Sequence, residues 1–373
     1  MARRGGIGLG EMQAELLASA GKYCREKSPI DRVRRLLDDE TGYDPAVWKE
    51  MVELGYLGIA LPEAYGGAGL GIAEVVPVVE QMGRNLMGGP LLATTLAAQA
   101  LLLAGTEQQK STVLPGIASG TPASVALMEA NGDWDPEAME CAAERDGGAL
   151  VLQGRKTFVL DAHVARWVVA SVRFADAPAL VLLDAAALGR AEVRRETVID
   201  ETRRCFQLGL DGLRLPEDAL LDVSATRAAL ARLELVGSLL VAAEMCGGGA
   251  SCVDDTVSYL QTRTQFGRPI GSYQALKHPT VQAHVGMEQA RSHLYAAAHG
   301  FDQPEEAEIA VRMAKAHAGT AFGFAADRAI QFHGAFGFTY ECDAQLYRRR
   351  ALWCEAQFGD ALHHRRKLAD LIL

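Results

Sequence analysis

Arg263-Thr264-Gln265-Phe266-Gly267-Arg268-Pro269-Ile270 closes the longest helical period in the chain. Val236, Leu239, Leu240 and Ala243 recur at helical spacing, which predicts one helix from about residue 225 to 263. An Arg, a Phe, a Gly and a Pro then follow within seven residues. A cationic fork beside an aromatic ring suits a phosphate ester carrying a flat heterocycle. The spacing alone also reads, and more readily, as a plain helix stop with a solvated Arg. Pro279 marks the start of a second helical stretch to His299, and Pro304 starts a third that runs to Phe332. At its end stands Gln331-Phe332-His333-Gly334-Ala335-Phe336-Gly337-Phe338, whose glycines permit close backbone approach to a ligand or simply stop the helix.

Upstream the pattern changes. Ser124–Met128, Ala149–Val159, Trp167–Val172, Ala179–Leu183 and Cys205–Leu215 are short β-like runs separated by Gly, Asp or Pro. No long helical period interrupts them, which points to a small antiparallel barrel or sandwich rather than βαβ units. Further upstream helices return. Asp44-Pro45 reads as an N-cap and first helical position, with Gly55 closing that helix. Glu74–Met82 and Leu91–Ala104 are further helices, the second almost wholly apolar and so buried. These shifts divide the chain into a helical domain over 1–120, a β domain over 121–225 and a helical bundle over 226–373.

The 373 residues are 49% apolar and 23% charged, ordinary for a folded protein. A net charge of −10 disfavours nucleic acid, whose binders need a basic surface. No apolar run approaches the roughly 20 residues that span a bilayer, so membrane insertion is not expected. Met1–Gly8 lacks the apolar stretch of a signal peptide. Seven scattered cysteines without a CxxC pair read as reduced thiols in a cytoplasmic protein. His363-His364 has no second ligand cluster, so no metal site is expected. Gly6-Ile7-Gly8-Leu9-Gly10 and Gly67-Ala68-Gly69-Leu70-Gly71 follow no predicted strand and fail as dinucleotide fingerprints.

Several segments together resemble the acyl-CoA dehydrogenases. They are Trp48–Gly58 with Pro62–Gly67, Gln109-Lys110 with Leu114–Gly120, the Arg263–Ile270 stretch with Gln274, and Gln331–Phe338 with Glu341 and Arg348-Arg349. The resemblance runs in order through nearly the whole chain. It implies a mainly α fold with a central β domain: an N-terminal helical domain, a middle β-barrel-like domain and a C-terminal four-helix bundle. It also implies FAD, an acyl-CoA substrate, electron-transfer flavoprotein as electron acceptor, and a tetramer. Arg263, Phe266, Gln274, Gln331 and Gly334 match positions that grip FAD held mainly by a neighbouring subunit, with Ala335 where the family has a second glycine. Leu127, Met128, Phe158 and Leu160 match positions along the flavin, where the family's hydroxyl-bearing residues are absent.

The catalytic base departs furthest. The reaction removes a weakly acidic α-proton as the β-hydrogen leaves as hydride, so it needs a desolvated carboxylate of raised pKa. The family's usual glutamate, in the loop before the last helix, corresponds to Phe358, and the alternative helix position to Gly237. Asp360, two residues past the loop position, is the remaining candidate, though it also reads as the N-cap of Ala361–Leu373. Glu244 is a second acid, two turns away on the long helix, and reads as a buried ion-pair partner. What a subunit donates to a neighbour's FAD is kept, and what it would use on its own flavin and substrate has drifted. The pattern suggests α,β-dehydrogenation of acyl-CoA, of fatty-acid or sterol-side-chain type, by one subunit of a hetero-oligomer. The alternatives are a self-sufficient homotetramer using Asp360 and a flavin-dependent monooxygenase on the same fold. The small residues over 236–250 leave either a wide acyl pocket or close helix packing.

Overall fold

A computed structural model of the protein describes residues 9–135 and 138–373; the readings made on Met1–Gly8 lie outside them. In chain order it contains α1 (Glu11–Lys27), α2 (Ile30–Leu36), α3 (Pro45–Glu53), α4 (Ile72–Arg84), α5 (Leu91–Ala104) and α6 (Glu107–Ala118). The strands β1 (Ala123–Ala126), β2 (Ala142–Asp146), β3 (Ala149–Gln153), β4 (Arg155–Leu160), β5 (Trp167–Phe174) and β6 (Ala177–Leu183) follow. After the short α7 (Ala185–Leu188) come β7 (Glu192–Glu196), β8 (Cys205–Gly209) and β9 (Arg214–Pro216). The remainder is α8 (Val223–Thr262), a ribbon of β10 (Thr264–Gln265) and β11 (Arg268–Pro269), then α9 (Gln274–His299), α10 (Pro304–Phe332), α11 (Ala344–Ala356) and α12 (Ala361–Ile372). The chain is mainly helical with a central curled sheet domain. Among the described residues no helix is long and apolar enough to cross a membrane.

Two compact units share these elements. One comprises the chain up to Leu37, Ile72–Met87 and Gly237–Leu373; the other comprises Asp38–Gly71 and Gly88–Val236.

In the second unit α3 starts and stops by local chemistry. Asp44 accepts the Ala46 N–H, Pro45 occupies the first helical position, and Gly55 turns left-handed at φ +77°. The Gly55 and Tyr56 amides then bond back to Val52 and Met51, satisfying carbonyls that the helix leaves open. The nearly all-apolar α5 buries most of its residues, as expected from its composition.

Sheet topology departs from the antiparallel expectation. β5 pairs β1 and β2 in parallel and β6 antiparallel, while β4, β8 and β7 form a separate antiparallel sheet. The run Ala149–Val159 is two strands, broken at Gly154, where φ is +105° and a Cβ would stand 2.7 Å from Cys141 Sγ. Cys205–Leu215 likewise splits in two. β2 and β7 escaped the apolar pattern because their residues are mostly exposed; β7 reads Glu-Val-Arg-Arg-Glu. Charge of that kind protects a sheet edge from further pairing.

In the first unit Pro279 lies inside α9, which starts five residues earlier at Gln274. Apolar spacing alone does not locate that start. The small residues of α8 serve helix packing. A Cβ on Gly247 would stand 1.8 Å from Glu80 O of α4, and one on Gly83 of α4 2.3 Å from Glu244 O. The two backbones touch there, so these glycines open no acyl pocket. All seven cysteines are free and buried.

Candidate functional site

The end of α8 carries Arg263, whose carbonyl accepts the Ile270 N–H and so closes the β10–β11 ribbon beneath it. At the ribbon tip Phe266 is 91% exposed with φ +54°, a conformation uncommon for a non-glycine residue. Its ring meets Tyr273 edge-on at 6.4 Å, and exposed Gln274 follows at the start of α9. Arg263 is exposed and has no ion-pair partner among the described residues. Tyr259, one turn earlier, stacks on His333 at 4.1 Å. That stack brings the Gln331 segment to the same end of the helices. There Gln331, Gly334 and Ala335 are exposed, and Gly334 has φ +64° with open space where a Cβ would stand. An unpaired guanidinium, a bare aromatic ring and an open glycine fit a phosphate-bearing cofactor with a flat ring, as FAD is.

In the other unit, β1 and β4 hold Leu127, Met128, Phe158 and Leu160 together. Met128 O accepts the Thr157 N–H, and Ser124 Oγ donates to Leu160 O. Leu127 and Met128 are half-buried and Leu160 is buried, whereas Phe158 is 45% exposed at φ +51° where the β4–β8 register shifts. Its N–H donates to Glu196 Oε2.

A charge pair missed from sequence anchors this edge. Buried Lys156 donates to Glu129 Oε1 at 2.6 Å and to Ser171 Oγ at 2.9 Å, while Glu129 also accepts the Glu140 and Cys141 amides. Burial pushes the Glu129 carboxyl up, but the Lys156 bond and charge, with those amides, hold it below its ordinary value. One residue past Leu160, buried Asp161 is pushed up to about 6 by desolvation, which outweighs Arg203 and Arg204.

The loop between α11 and α12 brings the two candidate base positions into contact. A Cβ on Gly237 would stand 2.5 Å from the Phe358 ring, so that ring lies against the α8 backbone. Neither position carries a carboxylate. Asp360 caps α12, its Oδ1 accepting the His363 N–H at 2.7 Å. Glu244 pairs with buried Arg350.

Beneath the loop, Lys315 of α10 is 1% exposed and donates to Gly359 O at 2.8 Å, Cys354 O at 3.1 Å and Glu355 O at 3.4 Å. Burial lowers its pKa to about 8, against the pull of the Glu355, Cys354 and Asp360 charges. Lys315 also escaped the sequence reading. The available signal was its place on the face of α10 that carries buried Val311, Ala314, Ala318 and Phe322.

Comparison with known proteins gives a consistent result. The acyl-CoA dehydrogenase N-terminal domain matches residues 10–121, and the acyl-CoA dehydrogenase C-terminal domain matches residues 227–372. Acyl-CoA dehydrogenase FadE12 of Mycobacterium tuberculosis is 34% identical over 310 residues, 79% of each chain. Acyl-CoA dehydrogenase IpdE2 of Mycolicibacterium smegmatis is 30% identical over 344 residues, covering 91% of this chain and 92% of that protein. Among solved structures, the Tcur3481-Tcur3483 steroid ACAD aligns over 98% of both chains with 29% identity and a TM-score of 0.86.

Proposed function

Because the chain belongs to the acyl-CoA dehydrogenase family, oxidoreductases acting on CH–CH bonds, we propose that it serves FAD-dependent α,β-dehydrogenation of an acyl-CoA as one subunit of a hetero-oligomer. In that role it completes the FAD site of a partner chain. The observation that carries this reading is the contact of Phe358 with Gly237. Abstraction of the α-proton needs a carboxylate within about 3 Å or one bridging water. Each unit of pKa mismatch raises that barrier by about 1.4 kcal/mol. An aromatic ring on a glycine supplies no acceptor at all. Asp360 spends an oxygen on the α12 amide and is shorter than Glu by one methylene.

When bound, FAD supplies the hydride acceptor. The chain's own part is to offer Arg263 to the phosphates, Phe266 to a ring face, and Gln274, Gln331 and Gly334 to neighbouring polar groups, with Ala335 alongside. In its own β domain Leu127, Met128, Phe158 and Leu160 line a strand edge without side-chain hydroxyls. The acyl chain in this reading is bulky, as the likeness to a steroid ACAD suggests. Electron-transfer flavoprotein is the acceptor, the assembly is a tetramer, and the location is cytoplasmic. The domain limits are those of the composition shifts near 120 and 225.

The test is co-expression with an adjacently encoded family member, followed by native mass, flavin absorbance and acyl-CoA oxidation. The expected result is a mixed oligomer that turns over while the lone chain barely does. Robust turnover by the lone chain, lost in Asp360→Asn with flavin retained, would replace this reading with a self-sufficient enzyme.

A further inference from the structure

The bend between α11 and α12 places two left-handed residues in succession, Phe358 at φ +54° and Gly359 at φ +96°. Glycine adopts that conformation freely, but a phenylalanine does so only where its surroundings over-determine it. Here they do. The buried Lys315 ammonium bonds three carbonyls of the bend, two from the last turn of α11 and one from Gly359. Those terminal carbonyls carry the negative end of the helix dipole, which suits a cation. Glu355 Oε1 accepts the Ala361 N–H, Asp360 accepts the His363 N–H, and Ser238 Oγ stands 3.5 Å from Phe358 O. Lys315 forms no ion pair among the described residues, although Glu355 and Asp360 attract it. Its whole hydrogen-bonding capacity is spent on the backbone of the bend.

The conformation held this way has one outward result. Phe358 is laid over Gly237, where any larger residue would collide with its ring. The ring occupies the volume that a side chain from either position would use. Resting on the reading under Proposed function, we infer that Phe358 is a built plug over Gly237, the position on α8 from which a base would have to reach the α-carbon of a bound acyl group, and that Lys315 is the positioning residue that latches it. In this chain that position is therefore closed, and not merely short of a base.

The experiment uses the full chain and two variants, Lys315→Met, of similar length without donors, and Phe358→Ala. Hydrogen exchange is followed across 354–361, and octanoyl-CoA binding is measured by titration calorimetry. In Lys315→Met the amides of the bend should exchange at least about tenfold faster while those within α9 and α10 stay protected. Both variants should bind octanoyl-CoA about tenfold or more tightly than the unaltered chain. Unchanged exchange in Lys315→Met overturns the latch. Unchanged binding in Phe358→Ala overturns the plug, and that variant leaves the buried Lys315 network intact if Lys315→Met fails to fold. Loss of the hetero-oligomer reading in the co-expression test would leave the exchange result standing, so the two failures are distinguishable.

Discussion

Asp161 shows how a single residue can sit against its own stability. Burial raises its carboxyl well above the ordinary carboxylate range, to about 6, despite Arg203 and Arg204 nearby. A carboxyl whose folded pKa is raised contributes most when protonated, and that contribution is lost as pH rises from about 4 through about 6. Asp161→Asn should therefore gain stability relative to the unaltered chain over the same window, by about 1–3 kcal/mol. Urea denaturation at pH 4.5 and pH 7.5 measures it, and an identical difference at both pH values rejects the assignment. Lys156 and Lys315 illustrate the opposite solution, since each buried ammonium is answered by oxygen acceptors. In each case the local sequence shows the lysine and none of its partners, which lie on other elements.

At the scale of elements, glycine does two different jobs within the same unit. Gly247 lets α8 touch α4, with no room for a methyl group, whereas a Cβ on Gly323 of α10 would meet nothing within 4 Å. Gly247→Ala should destabilise by about 3 kcal/mol through forced separation of two helices. Gly323→Ala should stabilise by about 0.5–1 kcal/mol, because it removes backbone freedom from the unfolded chain without a clash. Thermal melts of the two variants should move in opposite directions, and a shift in the same direction would contradict the packing argument. The strands show the same dependence on neighbours. β7 is mostly charged and exposed, and it becomes a strand only because β8 offers it a paired edge.

At the scale of the whole molecule, the exposed residues bear on assembly. Arg263, Phe266, Gln274 and Gln331 all face solvent in the single chain, as a surface that serves a neighbour would. Arg263→Ala should lower flavin content several-fold in the assembled oligomer while leaving the helical content of the chain unchanged. Bidentate charge-assisted bonds to phosphate are among the stronger polar contacts a cofactor receives. Flavin absorbance per protein against circular dichroism checks this, and full flavin occupancy in the variant would remove Arg263 from the proposed site.

The order of helices, strands and helices, the span of α5, the cap and stop of α3, and the place where α8 gives way to Arg263 and Phe266 are all legible in the order of residues alone. Those features rest on interactions within a few residues, so periodicity and capping chemistry expose them. Tertiary structure decided the parallel pairing of β5, the start of α9, the backbone contact of α4 with α8, and the closure of Phe358 over Gly237. Phe358 and Gly237 lie 121 residues apart in sequence. What either does depends on the volume the other occupies, and local spacing carries no information about that volume.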